Sequence, residues 1–201
     1  MISGVKMANE KDLVKALREK TGAGILNCRA ALKDSAWDFE KAVDTLRKRG
    51  VHLASKRAAR AAHAGKVESY IHAGGKIGVL IEVNCETDFV ARTDEFNRLV
   101  KDLAMQVAAA GALYVERIDV PQEVTDREKS IHQESVKAKP APIAEKILSG
   151  KMDKFYGEVC LLEQPFIRND KITIQQYITE IIGKTGENIK VKRFAKFTLG
   201  E

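Results

Sequence analysis

The chain predicts an α+β fold: an N-terminal three-helix module, a linker, and a core domain in which helices pack a small antiparallel sheet. Three observations carry that reading. Apolar residues recur at helical spacing through residues 9–50. Strict alternation replaces that spacing from Val67, and again in the last strand-like run from Ile189. Between these lie helical runs opened by threonine or proline and closed by glycine. The expected boundaries are residues 1–53 for the module, 54–65 for a basic, Ala-rich linker, and 66–201 for a core and dimerisation domain.

Asn9 is placed to cap a first helix with Leu13, Val14 and Leu17 on one face. The glycines of Thr21-Gly22-Ala23-Gly24 break it, because they reach backbone angles that a side chain forbids. Ile25, Cys28, Ala31 and Leu32 mark a second helix. Asp38 caps a third, with Phe39, Ala42, Val43 and Leu46 inward and Gly50 as its stop. Such a bundle is marginal alone. The stretch that follows has no apolar period and reads as a linker, helical or flexible.

From Val67 the pattern is that of a β-hairpin. Val67, Ser69 and Ile71 alternate, Gly74 and Gly75 turn the chain, and Ile77, Val79, Ile81 and Val83 return as a buried face. Thr93 caps the next helix, with Asp94 and Glu95 complementing its dipole. Phe96, Leu99, Val100, Leu103, Met105 and Val107 form its apolar face, and Gly111 ends it. An extended piece turns at Pro121, and a polar helix is expected from about Asp126 to Lys137. Pro142 suits the first turn of another helix. Residues 158–167 are apolar and expected to be buried, and residues 173–184 form an amphipathic helix. Ile189, Val191, Arg193, Ala195 and Phe197 then alternate in a closing strand that joins the hairpin's sheet.

The composition narrows the function classes. A hydrophobic share of 44% in 201 residues supports a core. No apolar run reaches the ~18 residues of a membrane span. The first residues hold no apolar signal core, so the chain is expected to be cytoplasmic, or the mature form of an organellar protein. Cys28, Cys85 and Cys160 are too sparse for a disulfide framework, and no CxxC or paired histidine offers a metal site. The Gly183-Lys184-Thr185 run lacks the glycine a phosphate loop needs five positions earlier, where Ile178 stands. Gly22-Ala23-Gly24 has no strand before it, and no nucleophile elbow occurs. The expectation is a protein that is not an enzyme and holds no cofactor. The net charge of +6 admits a polyanion or an acidic protein as partner. The basic run from Arg47 to Lys66 contains no aromatic residue, so it lacks the stacking platform of single-strand binders.

Three ordered segments then point to one family. TGAGILNCRAAL at Thr21–Leu32, LIEVNCETDFVAR at Leu80–Arg92 and GKTGENIKVKRF at Gly183–Phe194 together resemble the elongation factor Ts family. The length is similar to the family's short form, with one core copy and no long coiled-coil insertion. The resemblance implies a guanine nucleotide exchange factor. Such a factor binds GDP-loaded elongation factor Tu, loosens its Mg²⁺ and phosphate contacts and lets GDP leave. No covalent chemistry, cofactor, membrane or direct nucleic-acid contact is required.

The resemblance also implies the site residues. Phe89 is the intruding ring, Asp88 disturbs the polar network around the partner's Mg²⁺, and Thr87 and Val90 hold the tip in shape. A ring wedged between partner side chains can anchor ~2 kcal/mol or more. Read from the residues alone, Phe89 is as readily a core aromatic that caps the next helix, and Asp88 a capping carboxylate. The N-terminal module resembles the family's recognition domain, and as a small three-helix module with a glycine loop it is also ubiquitin-associated-like. Thr21, Gly22, Gly24, Ile25 and Leu26 would dock on the partner's nucleotide domain, although Ile25 and Leu26 also suit the bundle core. Thr185, Gly186 and His72 are further expected contacts. The family is often longer, with two related half-cores, and a homodimer would supply the missing half here.

Two other readings compete. An RNA-binding module would depend on Arg57 and Arg60 and show steep salt dependence. An adaptor would bind through residues 1–55 alone. Neither gives the Glu86–Val90 tip a role.

Overall fold

Residues 10–137 and 139–201 are described here from a computed structural model. They form two compact units: residues 10–61 with Thr179–Asn188, and Ala62–Ile178 with Ile189–Glu201. The expected Asn9 cap lies outside the described residues.

The first unit contains α1 (Glu10–Thr21), α2 (Ile25–Asp34) and α3 (Phe39–Arg57). Acidic residues open α1 and basic ones close it, as the helix dipole favours. Leu17, Cys28, Ala31, Leu32 and Ala42 are fully buried, with Leu13, Val14, Trp37, Phe39, Val43 and Leu46 packed around them. Asp38 caps α3 by accepting the Lys41 N–H at 3.0 Å. Gly50 does not stop α3, which runs on to Arg57. The close approach at this point is set by the facing Gly183. Here α3 meets the second half of α8 (Ile174–Thr185), where a methyl on Gly183 would lie 3.3 Å from the Gly50 Cα.

The second unit is built on an antiparallel sheet of β1 (Ala64–Ile71), β2 (Ile77–Cys85) and β5 (Ile189–Thr198), in the order β1-β2-β5. Val79, Ile81, Val83 and Cys85 on β2 are buried. They lie on the face covered by α5 (Asp94–Ala110), which packs against β1 and β2. Thr93 accepts the Phe96 N–H to cap α5, and Gly111 ends it at φ 68°. Phe96, Leu99, Val100, Leu103 and Val107 are buried as expected, while Met105 is half-buried.

The alternation expected in the closing strand holds only to its midpoint. Glu82 pairs with Arg193 but Val83 pairs with Val191, so Lys192 is an extra residue in the ladder. That bulge shifts the side-chain phase by one. Phe194, not Ala195, then faces α5's side, and Phe197 is left 72% exposed.

Pro121 starts a helix rather than a turn. Its carbonyl accepts the Val124 and Thr125 N–H groups, and α6 spans Gln122–Glu134 instead of beginning near Asp126. After α6 comes α7 (Ala141–Val159), with Pro142 in its first turn. The apolar run that follows buries Cys160, Leu161 and Phe166 but leaves Ile167 exposed. It also forms an unexpected two-stranded sheet, β3 (Pro165–Phe166) with β4 (Asn169–Thr173). Buried Gln106 ties this sheet to α5, donating to Gln164 Oε1 and the Pro165 carbonyl and accepting the Ile167 N–H. The α+β class predicted from the sequence is the class observed.

Candidate functional site

The central strand β2 delivers the chain to the Glu86–Val90 tip. Thr87 is extended and caps a single helical turn, α4 (Asp88–Ala91), by accepting the Val90 N–H at 3.4 Å. Thr93 donates its hydroxyl to the Val90 carbonyl at 2.8 Å and so pins the other end. Val90 is buried, and α4 rests on β1 and β2. The Cys85 thiol donates to the Thr87 carbonyl at 3.2 Å. These restraints leave Phe89 82% exposed, with Thr87 and Asp88 also exposed. Phe89 is therefore not core. It is a large ring held in water by a rigid base, with a carboxylate beside it in the first turn of a helix.

On the first unit, the Thr21–Leu26 loop is equally well braced. Thr21 donates its hydroxyl to the Leu17 carbonyl at 2.6 Å and accepts the Ala23 N–H at 3.3 Å. Gly22 adopts φ +68°. Gly24 precedes α2 without a side-chain cap, and the Cys28 thiol donates to the Ala23 carbonyl at 3.4 Å. Ile25 is 54% and Leu26 81% exposed. The expectation that Ile25 joins Cys28, Ala31 and Leu32 on the inner face is thus corrected. Only residues 28, 31 and 32 of α2 turn inward, and its first turn stays outside the bundle core.

A groove of about 490 Å³ opens beside Ile25, lined also by Val14, Trp37, Lys15, Arg18 and Arg29. Sequence reasoning assigned Val14 only to the helix's apolar face and did not single out Trp37, Lys15, Arg18 or Arg29. Lys15 and Arg18 lie three apart on α1, a spacing that shares one helix face and was the available signal. Trp37 sits at φ +64°, in a region that a lone residue cannot announce from sequence.

The Thr185–Gly186 turn belongs to the same unit. Thr185 donates its hydroxyl to the Ile181 carbonyl, and Gly186 turns at φ +74°. A methyl on Gly22 would meet the Lys184 Cε at 3.0 Å, so the two expected docking loops are neighbours. The Gly183–Thr185 run is the last turn of α8, where carbonyls rather than N–H groups point outward. That polarity is wrong for cradling phosphate. His72 lies at the hairpin end of β2, bonded to the Tyr70 hydroxyl at 3.0 Å. Strand rise puts it roughly 26 Å from the Phe89 end of the same strand, so the structure does not bring the two together within one chain.

No helix among the described residues is long and apolar enough to cross a membrane. None of their His, Cys, Asp and Glu side chains gather in threes that could hold a metal ion. What both units present is rigid loops with exposed apolar tips. Exposed apolar tips of this kind are the type of feature that protein partners bury.

Comparison with known proteins specifies the class. Residues 10–201 match the family model described as Elongation factor TS. Curated relatives named Elongation factor Ts include one from Carboxydothermus hydrogenoformans, 53% identical over 191 residues, covering 94% of this chain and 88% of that one. One from Geotalea uraniireducens is 54% identical over 190 residues with the same two coverages. One from Heliobacterium modesticaldum is 54% identical over 191 residues, covering 94% and 89%. The chain belongs to the elongation factor Ts family. Membership places it in the elongation phase of protein biosynthesis and implies nucleotide exchange on elongation factor Tu.

Proposed function

We propose that this protein docks on GDP-loaded elongation factor Tu in the cytoplasm and drives GDP out by pushing the Phe89 tip against the partner's Mg²⁺ and phosphate region. The observation that carries the proposal is Phe89 itself, 82% exposed on a turn whose cap, anchor and base are all fixed. A ring kept out of its own core is available to a partner's pocket. Asp88 beside it brings negative charge toward groups that otherwise hold Mg²⁺. Thr87 and Val90 keep the tip in shape.

Docking through Thr21–Leu26, with Thr185 and Gly186 adjoining, supplies affinity that does not depend on nucleotide. We assign residues 1–53 to recognition, 54–65 to a linker and 66–201 to the core. His72, remote from the tip, is assigned a separate contact. The homodimer is supported by the outward sheet face, where Val67, Ile71, Leu80 and Phe197 stand exposed opposite α5.

Exchange requires that the factor bind the distorted, nucleotide-free partner better than the loaded one. Factor and GDP then weaken each other's binding by the same ratio. A ~10⁴-fold effect needs about 5.5 kcal/mol of differential binding. The test is fluorescent-GDP release from elongation factor Tu in stopped flow. Release should accelerate as this protein is added at micromolar concentrations. No acceleration would sink the proposal and favour the RNA-binding reading.

A further inference from the structure

We propose that Cys85 is a positioning residue for the Phe89 tip: its buried thiol fixes the Thr87 carbonyl and so sets the direction in which the ring is presented. The inference rests on the exchange reading for its functional consequence, but its geometry stands independently. A four-residue helix closes too few hydrogen bonds to hold itself. Something outside α4 must orient it. The Thr87 carbonyl is the pivot, because it accepts both the Ala91 N–H of α4 and the Cys85 thiol, each at 3.2 Å.

Cys85 is well placed to be the fixed side of that pivot. It is the last residue of the central strand, fully buried, and paired with Ala64 on β1 and Ile189 on β5. The sheet holds it from both sides, so the thiol transmits sheet geometry to the tip. The arrangement recurs on the first unit. There the Cys28 thiol, also fully buried, donates to the Ala23 carbonyl beneath the loop that exposes Ile25 and Leu26. Each exposed docking loop is thus seated on a buried sulfhydryl. A thiol is a weak donor, but it fills apolar space without leaving a strongly polar group unsatisfied.

The test uses Cys85→Ala, which deletes the donor, and Cys85→Ser, which restores a donor at the same place. Both are measured alone and in a Phe89→Ala background. Cys85→Ala should lower the maximal GDP-release rate at saturating factor by about two- to fivefold, the weight of a net hydrogen bond at the weak end of the usual range. The half-saturating concentration should stay within about twofold, since docking elsewhere is intact, and Cys85→Ser should recover most of the rate. In the Phe89→Ala background Cys85→Ala should change nothing further, because the thiol acts through the ring. Hydrogen exchange at the Ala91 amide should quicken in Cys85→Ala and not in Cys85→Ser. Equal release and unchanged amide exchange in Cys85→Ala would overturn the proposal, as would a loss of that size that persists without Phe89. If the unaltered protein fails to release GDP, the exchange reading falls, and the amide readout alone decides whether the thiol orients the tip.

Discussion

Phe89 remains in water because Val90, the smaller residue, takes the buried side of the turn. Burying a phenylalanine side chain is worth about 1.5–3 kcal/mol, a gain this fold forgoes at Phe89. Which of the two would face inward was not legible in the sequence. Periodicity needs a window of 11–18 residues, and a single turn offers four. The same limit applied to Ile25 and Leu26 at the first turn of α2, whereas Leu17, Cys28 and Leu32 on longer periods were assigned inward correctly. Cys160 carries a prediction at this scale. Burial, reinforced by Glu163 nearby, pushes its thiol from 9.0 up to about 11. The folded chain keeps a proton that the unfolded chain releases, so the contribution to stability is complete below pH 9 and is lost as pH rises toward 11. Replacing Cys160 with alanine should flatten that alkaline decline in urea midpoints measured from pH 8 to 11.

Glycines decide the packing of two elements, and only one kind of requirement was visible in advance. Turn glycines such as Gly74 and Gly75 stood between alternating strands and were read correctly. Gly65 was not, because its demand comes from the neighbouring strand. It adopts φ +140° in β1, and a methyl there would sit 2.2 Å from the Val83 carbonyl oxygen. Gly65→Ala should cost about 3 kcal/mol or more, read from the shift in denaturant midpoint. Gly50 and Gly183 differ more subtly. A methyl on Gly50 meets nothing closer than 3.8 Å, so alanine should realise its better helix propensity, up to about 1 kcal/mol. A methyl on Gly183 meets the Gly50 Cα at 3.3 Å, so the crossing must give by a few tenths of an ångström to admit it. Thermal melts should therefore rank Gly50→Ala above Gly183→Ala; the reverse order would refute the crossing as described. The bulge at Lys192 was hidden for a related reason. It is a property of pairing with β2, and the alternating β5 sequence looks regular by itself.

Over the whole molecule, each unit braces one exposed loop by local capping and a hydrogen bond from a buried thiol. The fold class and the family segments were readable because long periodic elements and ordered signature stretches carry redundant signals. The grouping of Thr179–Asn188 with the N-terminal helices was not, since it depends on contacts between segments more than a hundred residues apart. The central claim is that docking and nucleotide release are separable, with Phe89 serving release. The most direct measurement is the dependence of GDP-release rate on factor concentration for the unaltered protein and for Phe89→Ala, with circular dichroism to check that both are folded. The account predicts that Phe89→Ala loses at least about tenfold of the maximal rate, the weight of a modest hot spot, while docking through the N-terminal module persists. A folded Phe89→Ala protein with an unchanged maximal rate would contradict it.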